Sequence, residues 1–427
     1  MKILFLITSP GDQYYCGNCV RDDFLASALR ESGEDVIVMP LYLPLDQMQT
    51  DTEVFFPATS YYVADALFGE KPMPPWLDTF LSRKAFLDLA ASLAGSTSAG
   101  GMEGMTLSMI KGEGRAFRDR MEGVLEFIGK ERPDIIHIPT TMLTGVARLI
   151  RERFPIPIVC SVQDEEIWID ELKGGDASRA WQGIRDNARW IDSFVTTSVF
   201  YMHKAQSLGM PFAGQMHLLH PGVNLEKYHC PTYPADPTIG FNYRMNSLDG
   251  LDTLVDAFIR LKKKDSIPNL RLYIGGGHTS LERKFLSGIR RKLSPYKEWV
   301  TFQKGYTQRR HFEFYREVSV VCVPIKFDES IGLYLPEAFA AGRPVVEPDR
   351  GSFREITGGA GILYDPSVPE ALDEALERIF LSGSLMGELR QKALQRARDT
   401  FNSTRLASEI KEVYQNAINS FEIGKSL

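Results

Sequence analysis

Two glutamates eight positions apart, Glu329 and Glu337, have the type and spacing that indicate chemistry most strongly in this sequence. Between them, the small-residue turn Ser330–Gly332 leads into an apolar helical stretch that we expect to end at Gly342. The N–H groups of a first helical turn and the helix dipole favour an anion. A carboxylate beside such a site can accept hydrogen bonds from hydroxyl groups. The segment therefore predicts a ligand that carries both phosphate and many hydroxyls.

Two other segments in the same half of the chain are also placed to meet a phosphorylated ligand. Arg244 follows a predicted strand and can meet a diphosphate; a surface ion pair with a nearby acid is the alternative. Gly275–Gly277 ends the next predicted strand, where the chain either approaches a ligand closely or makes a plain turn. Both segments predict ligand contacts at the ends of neighbouring strands.

Polar residues also follow two predicted strands in the first half of the chain. His137 lies at the end of one strand and is a candidate site residue, because strand ends face the ligand in open α/β sheets. A histidine packed beneath the loop is the alternative. The next strand ends at Gln163–Glu166, where three adjacent acids are costly to cluster without a role or good solvation. The start of a helix accounts for at least one of them.

The first loop of the chain combines a glycine with two cysteines. Gly17 precedes a predicted helix over Val20–Glu31, and a glycine at this place lets the backbone approach a phosphate. Cys16 and Cys19 form a C-x-x-C pair that is either redox-active or incidental to the loop, and we favour incidental thiols. One such pair supplies too few ligands for a structural zinc site.

Length and composition are those of an ordinary globular protein of two domains. The chain has 427 residues, of which 44% are hydrophobic and 24% charged. A net charge of −6 argues against a nucleic-acid partner. Five scattered cysteines favour a reducing compartment over a disulfide framework.

The apolar start is too short for a signal peptide, and no apolar run could span a membrane. We expect a cytoplasmic protein with at most peripheral membrane contact.

Short continuous apolar runs alternate with helical patterns along most of the chain, as is typical of parallel strands covered on both faces. The pattern predicts an α/β fold of two Rossmann-like, doubly wound domains facing a central cleft. The predicted strands are Lys2–Thr8, Asp35–Pro40, Asp134–Ile138, Ile156–Val162, Ser193–Thr197, Met216–Leu219, Thr238–Tyr243, Asn269–Gly275, Trp299–Gln303, Ser319–Val323, Pro344–Glu347 and Gly361–Tyr364.

Three prolines in the eight residues 230–237 indicate a linker between the domains. We therefore place an N-terminal domain at residues 1–229 and a C-terminal domain at residues 230–402. Residues 60–130 interrupt the alternation and form an elaboration of the first domain. This elaboration either covers one side of the cleft or packs as additional surface helices.

The sequence resembles the retaining glycosyltransferases of the GT-B fold, in particular glycosyltransferase family 4. The spacing of Glu329 and Glu337 matches the E-x7-E motif of that family, and the match extends through residues 337–346 and 361–366. Residues 220–228 are similar to the turn that precedes the second domain in the family. The resemblance covers most of the chain outside residues 60–130.

The resemblance implies a hexosyltransferase-type enzyme that binds a nucleotide-sugar donor mainly through its C-terminal domain and needs neither metal nor cofactor. Glu329 would hydrogen-bond the donor sugar, Glu337 the ribose, and Arg244 would neutralise the diphosphate. A C-terminal helix over residues 403–427 would pack back on the N-terminal domain.

The implied catalytic residues are Glu329, Arg244 and His137. The implied donor-binding residues are Gly17, Arg244, Ser330, Ile331, Gly332, Leu333 and Glu337. Gln163 and Asp164 are candidates for the acceptor side, and the acceptor is an unidentified glycan, lipid or small molecule.

Three positions depart from the family. Asp249 stands where a lysine usually assists the diphosphate arginine, and an acid there would repel a diphosphate. Pro139 and Gln163 each replace a common histidine. Lys326 or Arg21 could supply the missing positive charge.

The alternatives to a transferase are a nucleotide- or sugar-binding protein of this fold with weak or lost turnover, and another enzyme of the same architecture, such as an epimerase or a phosphorylase.

Overall fold

A computed structural model describes residues 1–7, 17–41, 103–210, 216–279, 281–307 and 310–426. Most of the predicted elaboration at 60–130, and Cys16 of the predicted thiol pair, therefore lie outside the described residues. The chain divides into two compact units. Unit 1 comprises Met1–Gly11, Leu25–Leu219 and Ala407–Leu427, whereas unit 2 comprises Asp12–Phe24 and His220–Leu406.

Unit 1 is built on a parallel sheet of six strands in the order β2-β1-β3-β4-β5-β6. The central strands are buried at every residue except Lys2 of β1, which explains why their sequences are continuous apolar runs. The strands are β1 (Lys2–Ile7), β2 (Asp35–Pro40), β3 (Ile135–Ile138), β4 (Ile158–Val162), β5 (Ser193–Thr196) and β6 (Met216–Leu218).

Helices connect and cover this sheet. The helix α1 (Gly17–Glu31) is divided between the units at Phe24 and Leu25. The described helices of unit 1 that follow are α2 (Glu103–Lys111), α3 (Arg115–Glu131), α4 (Thr144–Arg153), α5 (Glu165–Ile169), α6 (Asp176–Asn187) and α7 (Val199–Ser207), with 3-10 turns at Thr141–Leu143 and Ala188–Trp190.

The described end of the elaboration, residues 103–131, packs within unit 1. The Ile110 carbonyl accepts hydrogen bonds from Thr144 Oγ1 at 3.0 Å and Asn187 Nδ2 at 2.7 Å. Gly145 lets α4 approach α2 closely, because a Cβ added there would lie 2.1 Å from Gly112 N. This part of the elaboration therefore belongs to the helical packing of unit 1.

Unit 2 repeats the architecture with a parallel sheet in the order β12-β11-β10-β7-β8-β9. Its strands are β7 (Thr238–Asn242), β8 (Arg271–Gly275), β9 (Val300–Phe302), β10 (Val320–Val321), β11 (Val345–Pro348) and β12 (Gly361–Tyr364). Its described helices are α8 (Leu225–Tyr228), α9 (Leu251–Lys264), α10 (Arg283–Leu293), α11 (Tyr334–Ala340), α12 (Phe353–Thr357), α13 (Ala371–Leu381) and α14 (Gly383–Thr400), with 3-10 turns at Ser294–Trp299 and His311–Arg316.

All twelve predicted strands are present, and the predicted fold class of two Rossmann-like, doubly wound α/β units is confirmed. In unit 2 the strand order reverses between β7 and β10, since β7 continues to β8 and β9 on one side and β10 to β11 and β12 on the other. Open α/β sheets bind ligands beyond the carboxyl ends of the strands at such a reversal. The architecture therefore places a candidate site of unit 2 in the loops after β7 and β10.

The division between the units lies between Leu219 and His220. The sequence predicts this division at residues 229 and 230, because the proline-rich segment starts there. The reason is packing, because Val223, Tyr228 and Cys230 belong to the hydrophobic core of unit 2. Val223 also pairs with Asn402 in a parallel bridge. The prolines therefore follow an element that already belongs to unit 2.

The last helix, α15 (Ser403–Ser426), joins unit 1 from Ala407 onward. Tyr414 is fully buried there and its hydroxyl lies 2.7 Å from His137 Nδ1. The Arg151 guanidinium carbon lies 4.1 Å from the centre of the Phe421 ring. Among the described residues, no helix combines the length and apolar character that crossing a membrane requires.

We expect Gly145→Ala to lower the unfolding free energy by about 1–3 kcal/mol, since its Cβ would overlap Gly112 and force α2 away from α4. Urea unfolding followed by circular dichroism measures the change. Gly387→Ala is the matched control in α14, where an added Cβ meets no atom within 4 Å, and we expect it to stabilise by about 0.5–1 kcal/mol. Equal effects of the two substitutions would contradict the close packing of α2 on α4.

Candidate functional site

Three loops meet at the carboxyl ends of β7, β8 and β10, which are neighbours in the sheet of unit 2. They comprise residues 243–250, 276–282 and 322–333. These loops carry Arg244 and Glu329, the two residues of unit 2 for which the sequence predicts both donor contact and catalysis. The strand order therefore brings together residues that are 85 positions apart in the sequence.

Two glycines let the three loops pack backbone against backbone. Gly250 has φ 85°, and a Cβ added there would lie 1.9 Å from the Pro324 carbonyl oxygen. Gly276 has φ 101°, and its Cβ would lie 2.0 Å from the Tyr243 carbonyl oxygen. L side chains strongly disfavour these backbone angles. The close approach that the sequence predicts at Gly275–Gly277 is thus an approach to the protein's own backbone.

Glu329 lies at the start of the turn that leads into α11 and is almost completely buried. Its Oε1 accepts a hydrogen bond from the Gly332 amide at 3.3 Å, and its Oε2 accepts one from the Tyr243 hydroxyl at 3.3 Å. The predicted donor-binding stretch Ser330–Leu333 is buried with it. Glu329 therefore fixes the conformation of the turn whose backbone is predicted to contact the donor.

The helix α11 that follows ends just before Gly342, where the sequence predicts that it stops. It spans only the seven residues Tyr334–Ala340, and no side chain caps its N-terminus. A short helix provides only a small dipole, so Arg244 is a stronger source of positive potential for a phosphate in this site.

Gly17, the predicted donor contact from the first loop, begins α1 in the part of that helix that belongs to unit 2. A Cβ added to Gly17 would lie 3.8 Å from Leu333 Cδ1 and 4.0 Å from the Tyr243 hydroxyl oxygen. The structure therefore brings Gly17 beside Leu333 of the Glu329 turn and beside Tyr243, whose hydroxyl donates to Glu329.

Glu337 has no exposed surface and is surrounded by hydrogen-bonding side chains. Its Oε1 accepts from the Tyr228 hydroxyl at 3.0 Å and lies 2.6 Å from His311 Nε2, while its Oε2 accepts from the Tyr315 hydroxyl at 2.6 Å. Burial raises the pKa of both tyrosines well above the usual range, and the negative charge of Glu337 is the second cause. The hydroxyls therefore stay protonated and donate. The ribose role of Glu337 remains a prediction, and its carboxylate already has three partners.

The three partners of Glu337 are residues that the sequence analysis missed. Tyr228 lies within the segment that resembles the family, whereas His311 and Tyr315 lie in the 3-10 turn His311–Arg316. Nothing in the spacing of these aromatic residues indicates that they meet a glutamate 22 to 109 positions away.

Arg244 is paired with an acid in a buried position. Its guanidinium donates to Glu282 Oε1 at 2.6 Å, and both side chains are less than a tenth exposed. Burial opposes the Glu282 charge, but hydrogen bonds from Thr279 and Arg244 outweigh it and lower the pKa of Glu282. The ion pair that the sequence offered as the alternative is therefore present, although it is buried rather than on the surface.

Asp249, which stands at the lysine position of the family, is 5% exposed. Its Oδ2 accepts from Asn246 Nδ2 at 2.8 Å, and its amide donates to Asn246 Oδ1 at 2.7 Å. Burial raises the pKa of Asp249 to about 8, with a further contribution from Glu329, while Arg244 acts in the opposite direction. The carboxyl group is therefore mostly neutral at pH 7. We expected Asp249 to repel a diphosphate because an ionised carboxylate is negatively charged. A carboxyl group that is mostly neutral repels a diphosphate much less.

The two cations that could replace the missing lysine are both engaged with acids. Lys326 Nζ lies 2.8 Å from Asp252 Oδ1 and 2.9 Å from its Oδ2. Arg21 donates to Asp22 Oδ1 from Nε at 3.0 Å and from a terminal nitrogen at 2.7 Å. Burial raises the pKa of Asp22 to about 6 against the opposing Arg21 charge.

His137, the third predicted catalytic residue, lies in β3 of unit 1 and has no exposed surface. Its Nδ1 lies 2.7 Å from the Tyr414 hydroxyl and its Nε2 lies 2.8 Å from Ser161 Oγ. Its ring stacks on Phe5 with the ring centres 4.4 Å apart. This is the packed arrangement that the sequence offered as the alternative. A catalytic role for His137 remains a prediction that this geometry does not favour.

Gln163 and Asp164, the predicted acceptor-side residues, lie at the end of β4 in unit 1. Asp164 adopts the left-handed conformation with φ 56° just before α5. The Gln163 amide donates to Glu165 Oε2 at 2.9 Å, and the same oxygen accepts from Tyr201 at 2.9 Å. Burial raises the pKa of Glu165 despite these bonds. The hydrogen bonds give Glu165 a role in holding this turn and leave the acceptor contacts of Gln163 and Asp164 as predictions.

Cys19 of the predicted thiol pair is buried in α1. The described residues contain no group of three or more histidine, cysteine, aspartate or glutamate side chains that could hold a metal ion.

We expect Glu337→Ala to lower the unfolding free energy by about 3 kcal/mol or more, because it removes the shared acceptor of Tyr228, His311 and Tyr315. Urea unfolding measures this loss. Glu388→Ala is the control, since Glu388 forms an exposed ion pair with Lys392 and has no other ion pair among the described residues, so its loss should leave stability unchanged. If Glu337→Ala unfolded like the parent protein and only weakened nucleotide binding, the ribose role would replace the structural one.

Comparison with known proteins finds a glycosyltransferase family match in each half of the chain. The family described as "Glycosyl transferases group 1" matches residues 236–382, and the family described as "Glycosyl transferase 4-like domain" matches residues 102–222. The D-inositol 3-phosphate glycosyltransferase of Streptomyces bingchenggensis is 25% identical over 352 residues, which cover 76% of this chain and 75% of that protein.

Two solved structures share the fold over nearly the whole chain. Sucrose-phosphate synthase from Thermosynechococcus elongatus superposes with a TM-score of 0.71 at 17% identity, covering 98% of this chain and 100% of that chain. HepE from Anabaena, in complex with UDP-glucose, superposes with a TM-score of 0.70 at 15% identity, covering 97% and 100%. The fold is therefore GT-B. Because the two family matches together span more than half of the sequence, the chain belongs to the glycosyltransferases of group 1 with a glycosyl transferase 4-like domain.

Proposed function

We propose that this protein is a retaining, metal-independent glycosyltransferase that moves a sugar from a nucleoside-diphosphate sugar to a glycan, lipid or small-molecule acceptor. The observation that carries the proposal is the position of Arg244 and Glu329. These residues lie on the two loops that flank the strand reversal of unit 2, inside the segment matched by the group 1 family.

The proposed donor is consistent with what is known of proteins that share the fold. HepE from Anabaena was solved with UDP-glucose, and a starch synthase from Arabidopsis thaliana was solved with ADP and acarbose. UDP-glucose combines a diphosphate with many hydroxyls, as the Glu329–Glu337 segment predicts, whereas in the starch synthase ADP supplies the diphosphate and acarbose most of the hydroxyls. For this protein we propose the chemical class of the donor, a nucleoside-diphosphate sugar, and no particular base or sugar.

In the proposed mechanism, Arg244 holds the diphosphate and stabilises the charge that develops as the bond between the sugar carbon and the phosphate oxygen breaks. The acceptor hydroxyl attacks the same face of the sugar and forms the new glycosidic bond. Its proton passes to an oxygen of the departing phosphate. Glu329 accepts hydrogen bonds from the sugar hydroxyls and orients the reacting carbon. Arg244 must exchange Glu282 for the diphosphate when the donor binds.

A second candidate function is a nucleotide- or sugar-binding protein with weak or no turnover. The observation that favours it is that Arg244 is paired with Glu282 and that Glu337 is held by three side chains. The two functions differ in one measurable respect, because only the transferase releases nucleoside diphosphate from its donor.

Thermal unfolding with UDP, GDP and ADP, followed by incubation with the corresponding glucose donors, tests both candidates. A transferase should be stabilised by at least one nucleotide and should hydrolyse or transfer its sugar slowly. Stabilisation without release of nucleoside diphosphate would support the binding protein. No stabilisation by any of the three nucleotides would contradict the transferase and the nucleotide-binding protein, and would leave only a protein that binds sugars.

We expect the double substitution Arg244→Gln/Glu282→Gln to weaken binding of the stabilising nucleoside diphosphate by about 10- to 100-fold, because the charged contact to the diphosphate is lost. The paired change avoids leaving a buried charge without its partner. Isothermal titration measures the affinity. Arg260→Gln/Asp373→Asn is the matched control, since this ion pair lies between α9 and α13 and outside the three loops. An equal loss in both variants would contradict the assignment of Arg244.

We expect Glu329→Gln to lower kcat/KM for transfer by about 100-fold or more, while the affinity for nucleoside diphosphate changes by less than about threefold. The amide oxygen of glutamine can still accept from Gly332 or Tyr243, so the turn should persist. Steady-state kinetics and titration separate the two quantities. A loss of nucleotide affinity that matches the loss of kcat/KM would show that Glu329 acts on the loop rather than on the sugar.

A further inference from the structure

One oxygen of the Asp249 carboxyl group is held in place and the other is available. Asn246 binds Oδ2 and also accepts from the Asp249 amide, so the side chain is fixed on two sides. Oδ1 takes part in none of the hydrogen bonds among the described residues. A fixed carboxyl group with one available oxygen is suited to make a directed contact with a ligand.

Three charged groups lie around Asp249, and two of them are acids. Arg244 belongs to the same loop, Glu282 comes from the loop after β8, and Glu329 comes from the loop after β10. On the exposed side of the loop, Lys326 and Asp252 neutralise each other. A second or third negative charge in this position is unfavourable, because burial and the neighbouring acids both act against ionisation. The surroundings therefore favour the neutral carboxylic acid.

The first backbone amides of α9 are mostly committed within the loop. The Gly250 amide donates to the Ser247 carbonyl at 3.1 Å, and the Leu251 amide donates to the Asn246 carbonyl at 3.3 Å. The Thr253 amide donates to Asp252 Oδ1 at 3.0 Å. These three amides cannot contact a phosphate without giving up an existing bond. Donors for a phosphate on this side of the site must therefore come largely from side chains.

We propose that Asp249 binds the donor as a neutral acid, with its carboxyl O–H donating a hydrogen bond from Oδ1 to a phosphate oxygen of the nucleoside diphosphate. The inference rests on the proposed function and deepens it by naming a second diphosphate-binding residue. Asp249 thereby takes the place of a cation beside Arg244. A neutral carboxylic acid in an apolar setting can serve as a hydrogen-bond donor to an oxyanion at pH 7.

The proposal makes nucleotide affinity depend on pH with a definite sign. A bound diphosphate favours the protonated carboxyl group, so the pKa of Asp249 is higher in the complex than the value of about 8 in the free protein. Affinity is therefore complete below about pH 8 and falls as the pH rises above it, by up to about tenfold per pH unit. Among the acids around Asp249, the pKa of Glu282 is lowered by its hydrogen bonds and by Arg244, so Glu282 does not titrate in this range.

Asp249→Asn tests this contact directly. Asparagine keeps an oxygen for Asn246 and offers an N–H donor that does not titrate. Affinities for UDP, GDP and ADP are measured by titration between about pH 6 and pH 10 in both proteins. We expect Asp249→Asn to match the parent within about threefold near pH 7 and to retain its affinity at high pH, where the parent loses it. Dividing the affinity of one protein by that of the other at each pH cancels the effect of titration of the nucleotide itself.

Asp252→Asn is the matched control. Asp252 lies three positions away at the start of α9, and hydrogen bonds from Lys326 and Ser247 outweigh burial and lower its pKa. Its substitution should leave the pH profile of the parent unchanged. Asp249→Leu removes the donor without adding charge, and we expect affinity to fall by about 5- to 10-fold near pH 7.

Proton uptake by the unsubstituted protein gives a measurement that requires no variant to fold. Titrations near pH 8 in two buffers of different ionisation enthalpy should show uptake of about half a proton on nucleotide binding. Nucleotide binding without uptake, or pH profiles of the parent and Asp249→Asn that coincide, would overturn the role of Asp249 and leave the proposed function standing. If none of UDP, GDP and ADP bound at any pH, the proposed function and this inference would both fail.

Discussion

The close approach of Gly250 to the Pro324 carbonyl is the constraint on which the candidate site depends. It needs a backbone without a Cβ at φ 85°, and the Lys326 amide, which donates to the Leu248 carbonyl at 3.0 Å, holds the two loops together. Because these loops follow β7 and β10, the contact closes the strand reversal of unit 2. Asp249 and Glu329 are thereby brought near each other, and their proximity contributes to the protonation of Asp249.

Unit 2 contains several buried acids, and the structure accommodates them with hydroxyl groups and protons as well as cations. Glu347 accepts from the Tyr334 hydroxyl at 2.8 Å, and burial raises its pKa well above the usual range. Glu337 is held by two tyrosines and a histidine. A buried acid that keeps its proton adds no negative charge to a site that must accept a diphosphate. Neutralisation of acids is therefore a condition for anion binding here.

The sequence predicts the sheets and the central motif well, because both depend on local patterns. Continuous apolar runs mark the strands, and the eight-residue spacing of Glu329 and Glu337 marks the turn into α11. The sequence does not predict that residues 220–229 belong to unit 2, since this depends on Val223 and Tyr228 joining a distant core. It also does not predict that Asp249 is neutral, because burial and neighbours from two other loops determine its pKa.

The two glutamates of the motif show why spacing alone does not determine chemistry. Glu329 accepts from one amide and one tyrosine in a turn, whereas Glu337 accepts from side chains of two other segments and has no exposed surface. Their separation is a property of the turn and the first turns of α11. Their partners come from segments that the motif does not include. Two chains with the same motif can therefore differ in donor affinity and in pH dependence, and these properties have to be read from Tyr243, Asp249 and His311 as well as from the glutamates.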